Sequence, residues 1–564
     1  MTDVDTLIQT EVTLYKTDTA DGASYSGNPA LGGTKVTLSL SALSKTSGSL
    51  TDSARVAIQN ALIAKVNAAG IGGVACLIDP ATSAQGINKV KLVVAQVGSV
   101  RTVGSGVRAD EGAQVVDDNK HGMIKKGSPI QPGDLLEKEV LEDYLYSLSR
   151  FPGRSVSAAI TTEPSSAQVV LDYYVQEKNV FDVYFSVSNT GTEETNLWQE
   201  RIGILATQLS NNDDILTIEY QTSSFDDTYS VNGYYDARVG KLEDLRWRFT
   251  GLWSQYNSSN VGLASEDFNG SSWSVQGDLI WTFFQKGNFF LDLDAAARAW
   301  NSRTQGVTGG ALFQDGSANF FTGSGTVDAL AVGDTWALQG SVGAMYTSTG
   351  ATQQELDDLG RANTSTNWTT INASLYGSFY LDPYLDASWG TTALNKTLVH
   401  EIFGSIRGQY AFDYRLTPLS QFTMGGLYTV RGYEMSIDAG DNAFVGTVEY
   451  RLHLPRMFNA KAPSGENGPW MNRPFRWAPD SGTGAGPDWD LVLSGFFDGG
   501  SVSNNDAFAF ETNTPMCSAG VGLDLTILEN IAIGVDWGWA LTTIEELGVN
   551  SGSTQFWFSA SIVY

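Results

Sequence analysis

Cysteine and histidine are scarce in this 564-residue chain: two of the first and three of the second. Cys76 and Cys517 lie far apart with no CxxC spacing, so they read as unpaired small side chains rather than a disulfide framework. Of the histidines, His400-Glu401 opens an HE pair, but Gly404 stands where a second zinc ligand would be needed. His121 has no ligand pattern around it, and His453 alternates with Arg451 on the polar side of a strand-like run. No GxSxG elbow, P-loop lysine or Rossmann glycine pattern occurs, so neither an enzyme nor a metal or cofactor site is expected. Basic residues are also few, 34 against 62 acidic, a net charge of −28. Neutralising phosphates needs Lys and Arg, so this balance argues against wholesale nucleic-acid binding. Long apolar runs are absent too, which excludes helical membrane spans and only those.

What is present points to strands. Glycine reaches 60 residues and aromatics 11%, while charged residues make up only 17%. A hydrophobic fraction of 42% excludes a mostly disordered chain. The mean hydropathy of −0.13 is compatible with a barrel that crosses a membrane on alternating strands. The start, Met1 to Asp5, is acidic and shows no basic-then-apolar signal peptide, so a mature form with an added Met is expected.

The patterning changes character near residue 178. Before it, two small α+β modules are expected, at 36–98 and 99–177, with 1–35 left ambiguous between a strand of the first module and a separate segment. Residues 51–70 read as a helix capped by Thr51 or Asp52, with Ile58, Leu62 and Val66 on one face and Gly70 at its end. Residues 134–150 repeat the theme, with Asp134 as N-cap and Leu141, Leu145 and Leu148 on one face, before a strand over 169–175.

From 178 to 564, period-2 alternation runs almost unbroken. Leu245, Trp247, Phe249 and Trp253 oppose Arg246, Arg248 and Thr250; Val448, Tyr450 and Leu452 oppose Glu449, Arg451 and His453. Ile531, Ile533, Val535, Trp537 and Trp539 oppose Asp536 and two glycines, and the acids Asp292 and Asp294 read as wall charges of a watery lumen. About fifteen clear strands of roughly 10–14 residues, plus one in 310–333, exceed the usual soluble length and suit tilted membrane strands of about nine to eleven. A propeller or solenoid would show a fixed repeat, and none is found. The last run places Phe556, Phe558, Ala560, Ile562 and Tyr564 on one face and stops on the aromatic. That suits a closing strand paired with the first. The fold class expected is mainly β: a 16-stranded antiparallel transmembrane barrel preceded by the two modules.

One segment carries a family likeness. Gly425 to Tyr433 contains Val430-Arg431-Gly432-Tyr433, followed by Gly440-Asp441 and the strand around Val448 to Arg451. This resembles the VRGY motif of two-partner secretion transporters, the filamentous-haemagglutinin and haemolysin exporters, within the superfamily of outer-membrane protein assembly factors. Gly408-Gln409-Tyr410 with Leu416, Leu419 and Phe422 looks like the family's strand entering that loop. Tyr144 to Val156, with its Pro152-Gly153-Arg154 turn, is similar to the helix and turn of the second POTRA module, and Tyr184 to Gly191 to the first barrel strand.

The resemblance implies that the loop at about 424–442 folds back inside the barrel. It also implies that Arg431 is held by Asp498 of Phe496-Phe497-Asp498 on the thirteenth strand. It further implies export of a secreted β-rich partner polypeptide across the outer membrane of a Gram-negative-type bacterium, with the POTRA modules in the periplasm. Capture is expected at edge strands near Leu141, Tyr144, Leu145, Val169 and Leu171. Phe556, Phe558, Ile562 and Tyr564 resemble the signal read by the barrel assembly machinery. The alternatives are an assembly factor, which usually carries three to five POTRA modules, and a passive channel, for which the loop has no purpose. Residues 456–488, with five prolines, depart from the family as a long insertion where turns are short, and 1–35 lacks a convincing plug helix.

Overall fold

The structure is a computed structural model that describes all residues except 1–3, 21, 47, 79–87, 107–114, 163–167, 241, 262–265, 309–310, 392–396, 463–464, 469–472, 510, 512 and 529. Pro463 and Pro469 of the expected insertion therefore lie outside the described residues. The chain forms two units, Met1–Lys178 and Asn179–Tyr564.

In the first unit, helix Asp52–Ala68 is capped by the Thr51 hydroxyl, which accepts from the Ala54 N–H, and ends before Gly70 in the left-handed region. Its face of Ala54, Ile58, Leu62 and Val66 is buried, and the first three pack with Val12, Leu14, Tyr25 and Cys76. Val12 and Leu14 belong to strand Glu11–Thr19, which pairs with both Gly22–Ser26 and Thr34–Ser39. Most of segment 1–35 is thus part of this sheet, and a boundary at 36 would cut a paired strand. The alternation there covers only a few residues, too short a pattern to assign without its partners. Strands Val74–Ile78 and Val90–Val94 pair with each other.

The second sheet of the unit places Gln168–Glu177 between the parallel strand Gln96–Gly106 and the antiparallel strand Arg154–Thr162. Helix Lys138–Ser149 packs its Leu141, Tyr144 and Leu148 onto this sheet. Asp134 does not cap it. The helix begins four residues later, and the Asp134 carboxylate instead accepts from the Gln131 N–H at 2.8 Å in the preceding turn.

The second unit is a closed barrel of sixteen antiparallel strands. The first strand, Phe181–Ser188, pairs with the last, Thr554–Val563, and Tyr564 exchanges both main-chain hydrogen bonds with Val183. Alternation decides which side chains face where. Trp247, Phe249 and Trp253 of the fifth strand are exposed on the outer wall, while Arg246 turns inward and is buried on Asp236 of the fourth strand, which Arg248 also reaches at 2.9 Å. In the last strand Phe556 and Ile562 face out, and Trp557 between them is buried inside.

Antiparallel order places the connections after even-numbered strands on the rim where the barrel begins and ends, and those after odd-numbered strands on the opposite rim. The fifth to eighth strands run 17, 21, 20 and 22 residues, about twice what a membrane needs, so their ends rise well past the hydrocarbon. The eleventh strand is His400–Tyr410, the twelfth Asn442–His453, the thirteenth Trp489–Ser503, the fourteenth Pro515–Ile527 and the fifteenth Ile531–Ala540.

The facing assignment yields a direct expectation. Leu279→Arg on the outer wall should cost about 2–4 kcal/mol in a bilayer, whereas Gln276→Arg on the inner side of the same strand should cost little. Denaturant titration in lipid vesicles measures both, and equal costs would contradict the assigned faces.

Candidate functional site

Residues 411–441 join the eleventh and twelfth strands and enter the lumen. A short ladder within the loop, Phe422–Met424 against Asp438–Gly440, presents the tip 425–437. The tip turns sharply at Gly425 and Gly426, both at positive φ, and a Cβ on Gly425 would sit 2.2 Å from the Glu434 carbonyl oxygen. Two facing glycines then let the tip lie flat on the wall. A Cβ on Gly432 would come within 2.6 Å of the Trp539 backbone, and one on Gly538 of the fifteenth strand within 2.6 Å of the Arg431 carbonyl.

Arg431 is the centre of this seat. Its Nε and Nη2 donate to the two carboxylate oxygens of Asp498, each at 3.0 Å, and its Nη1 donates to Glu449 at 2.8 Å and Asp536 at 3.1 Å. The Arg431 main-chain N–H also donates to Asp498 at 3.1 Å, and its carbonyl accepts from the Trp557 indole at 2.8 Å. The guanidinium carbon stands 3.3 Å over the Phe496 ring centre. Asp498, fully buried, also accepts from Thr447 and Ser518. Burial pulls the Arg431 pKa down, but the hydrogen bonds and charge of Asp498, with Glu449 and Asp536, outweigh it and shift it upward. Val430 and Tyr433 anchor the two flanks: both are buried with Met424, Val445, Val502 and Met516, and the Tyr433 hydroxyl lies within hydrogen-bond reach of the Cys517 and Thr542 carbonyls. The tip is thereby tied to five consecutive strands, the twelfth to the sixteenth.

The structure brings together Val430, Arg431, Gly432, Tyr433, Phe496 and Asp498. It adds Glu449, Asp536 and Trp557, which sequence reasoning did not select, although alternation placed both carboxylates on polar strand faces. His453 is buried inside, between Asp490 at 2.7 Å and Glu401 at 3.2 Å. Among the described residues no group of His, Cys, Asp and Glu could hold a metal ion. The five residues expected at a capture surface lie elsewhere. Leu141, Tyr144, Val169 and Leu171 are core side chains and Leu145 is packed against them, because Gln168–Glu177 is a central strand rather than an edge.

A second clamp holds the root of the loop. Arg361, between the ninth and tenth strands, forks onto Asp441 at 2.6 and 2.9 Å and reaches Glu511 at 2.9 Å. Arg415 of the loop grips Glu511 with two bonds at 2.7 and 2.8 Å. Three connections on one rim are thus joined. Burial raises the Glu511 pKa, but the Arg415 and Arg361 bonds outweigh it and hold the carboxyl down at about 2.

Residues 167–449 match the family model described as haemolysin secretion/activation protein ShlB/FhaC/HecB. The chain belongs to this family. It is an outer-membrane transporter of the two-partner secretion type. The matched stretch includes Arg431 and Glu449 but ends before Asp498. Among solved structures, the fold resembles CdiB from Escherichia coli, with a TM-score of 0.61 at 14% identity over 91% of this chain and 85% of that one. It also resembles CdiB from Acinetobacter baumannii, with a TM-score of 0.56 at 15% identity over 91% and 82%. No curated protein matches.

Two outcomes test the clamps. Arg431→Ala and Asp498→Ala should each destabilise the seated loop by about 3–5 kcal/mol, because each strands a buried charge. The double variant should cost far less than their sum in a stability cycle, and additive costs would remove the coupling. For Glu511 the folded pKa is depressed. Its contribution is therefore complete above about pH 4.3, the ordinary glutamate value, and is lost as pH falls towards 2. Pepsin cleavage at Phe508, scaled to an unfolded substrate, should rise from about pH 4 to pH 2 and be high throughout in Glu511→Gln.

Proposed function

We propose that the first unit takes hold of an extended, β-rich segment of the secreted partner by strand addition in the periplasm. The segment then passes through the lumen when the 411–441 loop leaves its seat. The observation that carries this reading is how the loop is held. Among the described residues its ladder is internal, and it joins no barrel strand by sheet pairing. Side-chain ion pairs and hydrogen bonds fix it to the wall, so it can depart while all sixteen strands remain paired. This work needs neither catalysis nor a cofactor from the chain.

A strand suited to strand addition is Arg154–Thr162, which among the described residues is an outer strand of the second sheet, paired with Gln168–Glu177. Leu141, Tyr144, Val169 and Leu171 position that edge from behind, and Ile160 on it is exposed. Main-chain hydrogen bonds along such an edge supply affinity for a partner strand regardless of its side chains. The two N-terminal modules, divided between strands Val90–Val94 and Gln96–Gly106, fit export better than the assembly of other barrels. Phe556, Phe558, Ile562 and Tyr564 would meet the barrel assembly machinery before the wall meets lipid.

Ile160→Pro removes one main-chain N–H from this outer strand and bends it. With about 1 kcal/mol per lost hydrogen bond, the loss of one or two bonds should lower partner secretion roughly tenfold, with the barrel still inserted. Unchanged secretion would rule out capture at this edge. Loss of other outer-membrane barrels on depletion, with secretion intact, would point to assembly instead.

A further inference from the structure

The connection between the twelfth and thirteenth strands, residues 454–488, lies on the rim where the barrel begins and ends, and the loop clamps make no use of it. Its shape is set by one carboxylate. Asp488, buried just before the thirteenth strand, accepts from Arg473 at 2.8 and 2.8 Å and from Arg476 at 3.0 and 2.6 Å, plus the Arg476 main-chain N–H at 2.8 Å. The two guanidiniums hold the Asp488 carboxyl well below the usual carboxylate range, against the opposing effect of burial. This fold-back is therefore built, and it places Phe475 and Trp477 beside the first residue of the strand.

That residue, Trp489, lies on the outer face. It alternates with inward Asp490 and shares its side of the strand with Leu491, Leu493 and Phe497, the last two exposed to the surroundings of the wall. The Trp489 indole donates to the Trp477 carbonyl at 3.1 Å. Ring contacts run from Phe458 to Trp489 at 6.2 Å, from Trp489 to Trp477 at 5.8 Å, and from Trp477 to Phe475 at 4.7 Å. Trp477 is 65% exposed and Phe458 47%, a large apolar surface open to the surroundings of this rim. Beside them Arg473 and Arg476 bring two positive charges to the single negative charge of Asp488, and Arg473 is half exposed. Together with Arg456 they line a cavity of about 680 Å³ at this rim.

We propose that Phe458, Phe475, Trp477 and Trp489 form a membrane-interface foot: these rings rest in the headgroup zone of the phospholipid leaflet around this rim, with Arg473 facing the lipid phosphates. The surface continues the lipid-facing wall outward from Trp489. Tryptophan and phenylalanine with adjacent arginine match the mixed apolar and anionic character of that zone. The foot holds the rim at a fixed depth, which a long polar turn would leave unset. The inference rests on the outer-membrane reading of the barrel.

The test is the depth of a nitroxide label on Phe475→Cys or Trp477→Cys, in the full chain carrying Cys76→Ser and Cys517→Ser, in nanodiscs of phosphatidylethanolamine and phosphatidylglycerol. Labels at Leu493→Cys and Leu31→Cys serve as references for lipid and water. The ratio of collision with oxygen to collision with an aqueous nickel chelate should lie between the two references at both foot positions. It should fall towards the water value in Arg473→Gln or when phosphatidylglycerol is omitted. A ratio equal to the Leu31 reference at both positions overturns the foot. A Leu493 label that reads as water would instead overturn the membrane reading itself.

Discussion

A guanidinium removed from water must be matched by carboxylates and filled hydrogen bonds, or the state that buries it is not populated. Arg431 meets this demand by drawing on Glu449, Asp498 and Asp536 from the twelfth, thirteenth and fifteenth strands. The match depends on the whole right-hand arc of the wall being in register. A slip of one residue in the thirteenth strand would turn Asp498 to the lipid and Phe497 to the lumen. Loop and wall therefore stabilise one another: the strands orient the acids, and the cation relieves the repulsion among acids that the strands bring together. Gly432 and Gly538 matter for the same reason, since any side chain at either position would hold the guanidinium away from its partners.

The clamps at the two ends of the loop differ in kind. At the tip, one cation is shared among acids of the wall. At the root, Arg361 is shared between Asp441 of the loop and Glu511 of a neighbouring connection, and Arg415 of the loop also grips Glu511. The tip contacts tie the loop to the wall, whereas the root keeps three connections of the same rim together. A fork-like cation suits both clamps, because its planar set of donors reaches several carboxylate oxygens at once. The net charge of −28 acquires part of its meaning here. Many of the acids, Asp236, Asp278, Asp292, Glu449 and Asp498 among them, are buried on the inner side of the wall, where arginines from strands and loops partly balance them.

The barrel was legible because a membrane wall has one apolar face for its whole length, and alternation over ten or more residues is hard to produce otherwise. The pairing of Arg431 with Asp498 was legible only through family likeness, since no local pattern links residues 67 apart. Glu449, Asp536 and Trp557 escaped selection for a related reason. Each sits on a strand face that its sequence describes correctly, yet every inward charge on every strand looks alike until closure decides which ones face the loop. The residues expected at a capture surface are a different case. Leu141, Tyr144, Val169 and Leu171 have the apolar character of both a core and a docking surface, and only sheet order shows that their strand is central.

Sequence alone determined that the chain changes from mixed helix and strand to uninterrupted strands near residue 178, and which side chains share a face. These are local properties: period, spacing and turn chemistry act over a few residues. The tertiary structure decided that segment 1–35 completes the first sheet, that Arg154–Thr162 is an outer strand of the second, and that five strands converge on the loop tip. It also decided that Asp488 folds an insertion back onto the outer wall. Each of these depends on which distant strands become neighbours, and strand pairing is set by closure of the whole barrel and burial of whole faces.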